Sequence, residues 1–151
     1  MSNERIGIII DDLVQQAVLS SAPDAVATLP ASYLKTELHA EVMQIMGDTL
    51  TLLIEFATPQ EINAAVLCWH NLSSAAVVTL DLLDANNEVL QTISPATKPS
   101  ITAYFNTRPV SKLRWVITDA GVDFIQIGRA IAGRIWQPMY GVENGIVWDW
   151  D

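Results

Sequence analysis

The chain has 151 residues, half of them hydrophobic, with 17 acidic against 8 basic side chains and a formal charge of -9. That length supports one domain with a core of its own. The acidic balance repels phosphate backbones and argues against a nucleic-acid ligand, and the single cysteine, Cys68, excludes an intrachain disulfide scaffold. Only Arg5 and Lys35 precede residue 97 among the basic residues, so the later ones are expected to pair with acids from the first half.

The chain opens with a short apolar run, Ile6–Ile10, ended by Asp11 and Asp12. The run is too short and too acidic for a signal peptide or a membrane span. It reads as a short strand, in a protein made and folded in the cytoplasm. Asp11–Ser21 continues as a strand or forms a short helix, and the pattern does not decide. Ala22-Pro23-Asp24 is a turn. Leu29–Leu34 is a connecting segment with room for a helical turn.

From residue 42 the period becomes two. Leu50, Leu52, Ile54 and Phe56 alternate with polar Thr51 and Glu55, the pattern of a half-buried strand, which Thr58-Pro59 is expected to end. Ala64–His70 is apolar on both faces and reads as a central strand, with Cys68 as a small core residue. Asn71–Ser74 is a loop. Ala76–Leu83 alternates again, with Val78, Leu80 and Leu82 inward. Asp84–Asn87 makes a hairpin turn, and Glu88–Ile93 returns. After a proline-containing loop over Ser94–Ser100, Ile101–Phe105 and Leu113–Thr118 are further strands, and Asp119–Asp123 turns the chain into Phe124–Pro138. About eight strands at this spacing predict an antiparallel sandwich or barrel.

Few groups suggest chemistry. His39 lies between Glu37 and Glu41, the start of a metal site that lacks a further ligand, and reads as part of a solvated polar face. His70, beside Asn71, reads as a hydrogen-bonded strand-end histidine. Asp81 and Asp84 flank an ordinary turn. Asp84, Asp119 and Asp123 lack the spacing of a calcium loop. There is no G-x-S-x-G, phosphate loop or dinucleotide fingerprint. No catalytic residue, metal or cofactor is therefore expected.

The segment FIQIGRAIAGRIWQP carries Gly128 and Gly133, which suggest bulges or close backbone approach. Arg129 sits between apolar neighbours, where a charge needs a partner. Asp119 is the first expected partner, with a neighbouring subunit as the alternative. Arg134 and Trp136 follow, and then a tail containing Tyr140, Trp148 and Trp150. This tail either folds back over the sandwich or docks on another chain.

The run HNLSSAAVVTLDLLD, then YFN, LRWVITD and FIQIGRAIAGRIWQP, resembles small bacteriophage and prophage tail-associated proteins with a galactose-binding, discoidin-like β-sandwich. In that pattern a strand ends in G-H-N-L-S, here Cys68–Ser73 with Trp69 in place of the glycine. A later strand carries I-x-I-G-R-x-x-x-G, here Ile125–Gly133. D-x-L…LP-x-x-x-L fits loosely over Asp11–Leu34. The resemblance covers most of residues 11–138 and implies an all-β, antiparallel jelly-roll β-sandwich and a virion role, with no catalytic residues. His70, Asn71, Gly128 and Gly133 are then structural.

The sequence thus predicts one domain: an irregular arm with the first strands over 1–40, a sandwich core over 41–137 and a tail over 138–151. The core is expected from Leu52, Ile54, Val66, Cys68, Val78, Leu80, Trp115, Ile117, Ile125 and Ile127. The expected function is a non-enzymatic structural component of a phage or prophage tail, in the virion once assembled. It would act through contacts with other tail proteins or with copies of itself, using Arg129, Arg134, Trp136, Tyr140, Trp148 and Trp150. The alternative is a carbohydrate-binding module with a glycan as ligand. Neither nucleic acid nor membrane insertion is expected.

Overall fold

The computed structural model describes residues 8–9, 11–38 and 40–136. Its strands are β1 (Ile8–Ile9), β2 (Val18–Ala22), β3 (Met43–Met46), β4 (Thr49–His70), β5 (Val77–Leu83), β6 (Val89–Ile93), β7 (Ser100–Thr118), β8 (Phe124–Gly133) and β9 (Ile135–Trp136). Short 3-10 turns cover Leu13–Gln16 and Ala31–Lys35. Both readings of Asp11–Ser21 are therefore partly right: the segment makes one helical turn and then begins a strand. Tyr140, Trp148 and Trp150 lie outside the described residues, as does His39.

All pairings are antiparallel, in the order β3-β8-β4-β7-β5-β6, with β2 added on β4. Two long strands serve both layers. Residues 49–55 of β4 pair with β7 residues 112–118 and, over 51–55, with β2. Further along, β4 residues 64–68 pair with β7 residues 100–104, and its 64–70 stretch also pairs with β8. One layer is thus β2-β4-β7-β5-β6 and the other β3-β8-β4-β7. Between them lies a core that includes Leu52, Ile54, Leu80, Leu113, Trp115, Ile117, Leu67, Ile101, Ile125 and Ile127. This is the expected all-β antiparallel sandwich.

Two features differ from the sequence reading. Thr58-Pro59 does not end a strand, because the chain runs on as one strand from Thr49 to His70. The register shifts between Glu55 and Gln60, and Pro59 falls in that gap, where no ladder N–H is required of it. Likewise Ile101–Phe105 and Leu113–Thr118 are parts of the single strand β7.

The second difference follows from a further shift between Ile62 and Ala64. There one β4 residue, Asn63, stands against three on β7, and the buried positions of β4 change from even to odd numbers between Ala64 and Ala65. Leu52 and Ile54 point inward as expected, but beyond the shift Ala65 and Leu67 are buried while Val66 and Cys68 are only half-buried on the outer face. The segment expected as an irregular arm also reaches the core, through Val14, Ala17 and Leu34.

Candidate functional site

Pairing of β4 with β8 sets the two motifs side by side: Cys68 lies opposite Arg129, and His70 opposite Ile127. Between these pairs, Trp69 adopts φ 56°, the left-handed region that favours glycine. The twist leaves the indole on the surface, 42% exposed. Gly128 makes room for it, since a Cβ there would fall 2.8 Å from Trp69 Cβ and 2.9 Å from Cε3. The turn keeps its left-handed geometry although tryptophan stands where the pattern has glycine.

The residues after Trp69 are tied down. Leu72 N–H donates to His70 Nδ1 at 3.1 Å, which leaves the proton on Nε2, facing the Lys98 carbonyl at 2.5 Å. The Asn71 amide replaces a strand partner: Nδ2 donates to the Phe124 carbonyl and Oδ1 accepts from Gln126 N–H, both at 2.8 Å. Asp119, fully buried, accepts from the Ser73 N–H at 2.6 Å, the Ser73 hydroxyl at 2.7 Å and the Gly121 N–H at 3.0 Å. Burial alone would raise the Asp119 pKa, but the bonds from Ser73 and Gly121 outweigh it and hold the carboxyl below the usual range. Ser73 therefore serves Asp119, not His70.

Arg129 finds its partners on the N-terminal segment. Its NH2 group lies 3.3 Å from Asp12 Oδ2 and 3.6 Å from Glu37 Oε1. The expected Asp119 partner is thus corrected: that carboxylate is already filled by Ser73 and Gly121. Asp12 does more than neutralise a charge. It caps the turn over Leu13–Gln16 by accepting from Val14 N–H at 3.1 Å, and it accepts from Ala132 N–H on β8 at 3.4 Å. Gly133 lies against the Asp11 carbonyl oxygen, so a side chain has no space there. Arg134 is exposed, and Trp136 lies opposite Ile8 in the two-stranded pairing of β1 and β9.

The other candidates resolve into structure. Asp81 accepts from Arg114 at 2.7 Å and from the Thr92 hydroxyl at 2.6 Å, both directly opposite it on neighbouring strands. Burial would raise its pKa, but these bonds and the Arg114 charge lower it. Asp84 accepts from the N–H groups of Asn86 and Glu88 in its own turn. Burial pushes the Cys68 thiol up, against the opposing pull of Ser100 and the Arg129 charge, which favours the protonated form. Among the described residues no group of three His, Cys, Asp or Glu side chains gathers as a metal site. None of their helices is long and apolar enough to cross a membrane.

Among the exposed large apolar side chains, which include Val18, Leu38, Met46, Val77 and Val89, two are aromatic. Trp69 and Tyr104 are 42% and 57% exposed. Tyr104 lies opposite Ala64 on β7 and shares its outer face with Thr102, since Ile101 and Ala103 point inward. Sequence reasoning missed Tyr104 and Asp12. For Asp12 a signal existed: an aspartate two residues before Val14, at the start of a helical turn, is a preferred cap.

No known family matches the sequence, and no curated protein matches it either. Solved structures do match the fold. The lectin domain of lectinolysin complexed with Lewis B antigen superposes with a TM-score of 0.70 at 9% identity, over 84% of this chain and 99% of that one. A fucose-binding module of Streptococcus pneumoniae gives 0.68 at 7% identity, over 82% and 95%. The module CpGH89CBM32-5 from Clostridium perfringens, in complex with GalNAc-beta-1,3-galactose, gives 0.64 at 10% identity, over 82% and 99%.

These matches overturn the expected role as a structural protein of a phage tail, because the neighbours are carbohydrate-binding domains and nothing among them points to a virion. The physical reason lies in the motifs themselves. Asn71, Gly128, Gly133 and the Asp119 loop hold strands together, so the motifs report a fold and carry no information about a virion. The fold is that of the galactose-binding-like β-sandwich.

Proposed function

We propose that this chain is a carbohydrate-binding module that recognises a glycan without transforming it. The observation that carries this reading is the fold match at the scale of a whole module: almost the full length of two lectin or sugar-binding domains superposes on this chain. Exposed Trp69 and Tyr104 on the outer surface support it, because aromatic rings stack on the apolar faces of sugars. Recognition without catalysis also fits the placement of the polar groups. His70, Ser73, Asp81 and Asp119 are each engaged in bonds that hold loops or strands. A glycan array probed with the full chain, followed by calorimetry on any hit, tests the reading. Binding to at least one glycan at micromolar to millimolar Kd is expected, and no binding across a broad array defeats it.

A further inference from the structure

The chain treats the two edges of the layer β3-β8-β4-β7 differently. At β3 the edge is covered: Val26 N–H donates to the Gln44 carbonyl at 2.8 Å, and Gln44 N–H to the Leu29 carbonyl at 3.1 Å. At the other edge, β7 residues 100–104 pair with β4 and, among the described residues, with no strand on their far side. Every second residue there turns its N–H and C=O away from the sheet. Such an edge is normally blunted by a charge, a proline or a short strand. Residues 100–107, SITAYFNT, hold neither charge nor proline. The other edge strands, β2 and β6, are only five residues each.

The open stretch also has a charge. Residues 89–118 contain no acid and four of the eight bases, in a chain of -9. Lys112 meets Glu55 and Arg114 meets Asp81. Lys98 and Arg108, which bracket the open edge, meet no carboxylate among the described residues. Toward the core the stretch presents Ile101, Ala103 and half-buried Phe105, and toward the outer face Ser100, Thr102 and Tyr104. A strand that fits there alternates apolar residues with polar or acidic ones.

The last residues of this chain have that pattern. Residues 137–151 lie outside the described residues; their sequence holds Glu143, Asp149 and Asp151 and no base. Ile146, Trp148 and Trp150 alternate with Val147, Asp149 and Asp151, after the turn signal Asn144-Gly145. The chain also leaves the described region close to the open edge. Gly133 lies opposite Ala64, and Ala64 opposite Tyr104. Just beyond, Ile135 N–H donates to Asn63 Oδ1 at 2.7 Å. The β7 edge is thus two strand spacings from Gly133, about 10 Å. Fifteen further residues reach roughly 50 Å when extended, enough to turn and run back along that edge.

We propose that residues 145–151 add to the open edge of β7 as an antiparallel strand of the same molecule, with Trp148 opposite Ala103. That register sets Ile146, Trp148 and Trp150 beside Phe105, Ala103 and Ile101, on the core side. It sets Asp149 opposite Thr102, brings Asp151 toward Lys98 and puts Glu143 opposite Arg108, so the acids meet the two bases that lack partners. An added strand lies in the plane of the sheet, so the outer face that carries Tyr104 stays open. The inference does not rest on the carbohydrate-binding reading.

Disulfide trapping tests the placement in the full chain, with Cys68→Ser as background. Thr102→Cys combined with Asp149→Cys puts two thiols at opposite strand positions, within disulfide reach. Mild oxidation is expected to give an intrachain disulfide in most of the monomer. The yield should be roughly tenfold lower when Thr79→Cys, on the other layer, replaces Thr102→Cys. Hydrogen exchange reads the same edge without new cysteines. The outward amides of residues 100–106 are expected to exchange roughly tenfold or more faster in Trp148→Ser/Trp150→Ser than in the wild type. A disulfide formed only between two molecules puts the tail of a second copy on this edge and overturns the intramolecular strand. No disulfide with Thr102→Cys, or equal yields at the two positions, overturns it as well, and so does equal exchange in the two proteins. If the tryptophan variant does not fold, the trapping result decides alone.

Discussion

Asp12 and Arg129 join the beginning of the described chain to its last long strand, through a 3.3 Å contact between residues 117 positions apart in sequence. Both side chains are about 15% exposed. Asp12 matters more than its partner, because it also caps a helical turn and accepts from Ala132 on β8. Asp12→Ala should cost roughly 2–3 kcal/mol, combining a lost cap with a half-buried Arg129 left only the exposed Glu37 as partner. Asp12→Asn, which keeps an accepting oxygen, should cost about 1 kcal/mol. Urea denaturation of both variants, together with a double-mutant cycle against Arg129→Met, measures the pair term.

Gly128 and Gly133 should fail for different reasons. At Gly128 the obstacle is the Trp69 side chain, so Gly128→Ala should cost about 1–3 kcal/mol alone and much less in combination with Trp69→Gly. At Gly133 the obstacle is the Asp11 carbonyl oxygen, part of the backbone, so Gly133→Ala has no such single-site rescue. Thermal melts of the two single variants and the double variant separate the cases.

The Asn71 amide both donates and accepts, and each role can be removed separately. Asn71→Asp keeps the acceptor for Gln126 but sets a carboxylate against the Phe124 carbonyl. Asn71→Ala leaves both backbone groups unpaired, at a cost of about 1–3 kcal/mol. The aspartate variant should be the less stable at neutral pH and recover as acid protonates it, a crossover readable from melting temperature against pH.

Asp119 should make the fold acid-sensitive. Its folded pKa lies below the ordinary value near ~3.9. As pH falls through that ordinary value the unfolded chain binds the proton first, so stability is full above it and drains away toward the folded pKa. Asp119→Ala should cost roughly 2–4 kcal/mol near neutrality, since Ser73 and Gly121 lose their acceptor. It should also flatten the stability profile below about pH 4. Denaturation midpoints collected from pH 2 to pH 7 check both parts.

The alternation of Leu50, Leu52, Ile54 and Phe56, and of Val78, Leu80 and Leu82, was enough to find the strands and the face that each buries. Periodicity failed where register changes. Nothing local to Ala64–His70 announces the shift at Ile62, so Val66 and Cys68 look like core residues although they lie outside it. Long-range partners were equally hidden. The need of Arg129 for a carboxylate was legible, because a charge among apolar residues must be met, but the choice of Asp12 depends on how the first residues cross β8. The role expected in a phage tail failed for another reason: it was inferred from residues that serve the fold, and many functions share a fold.

The passage of β4 and β7 through both layers also governs how the protein can come apart. Neither layer owns its central strands, so neither can form alone as a half-built sandwich and wait for the other. Along β4, Thr49 lies opposite Thr118 and Cys68 opposite Arg129, so both ladders close over long stretches of chain. Such distant closures give a high contact order, and folding should be slow and single-phased, on the millisecond-to-second scale of all-β domains. A nick near Pro59 would cut a strand shared by both sheets, so loss of the two layers should coincide.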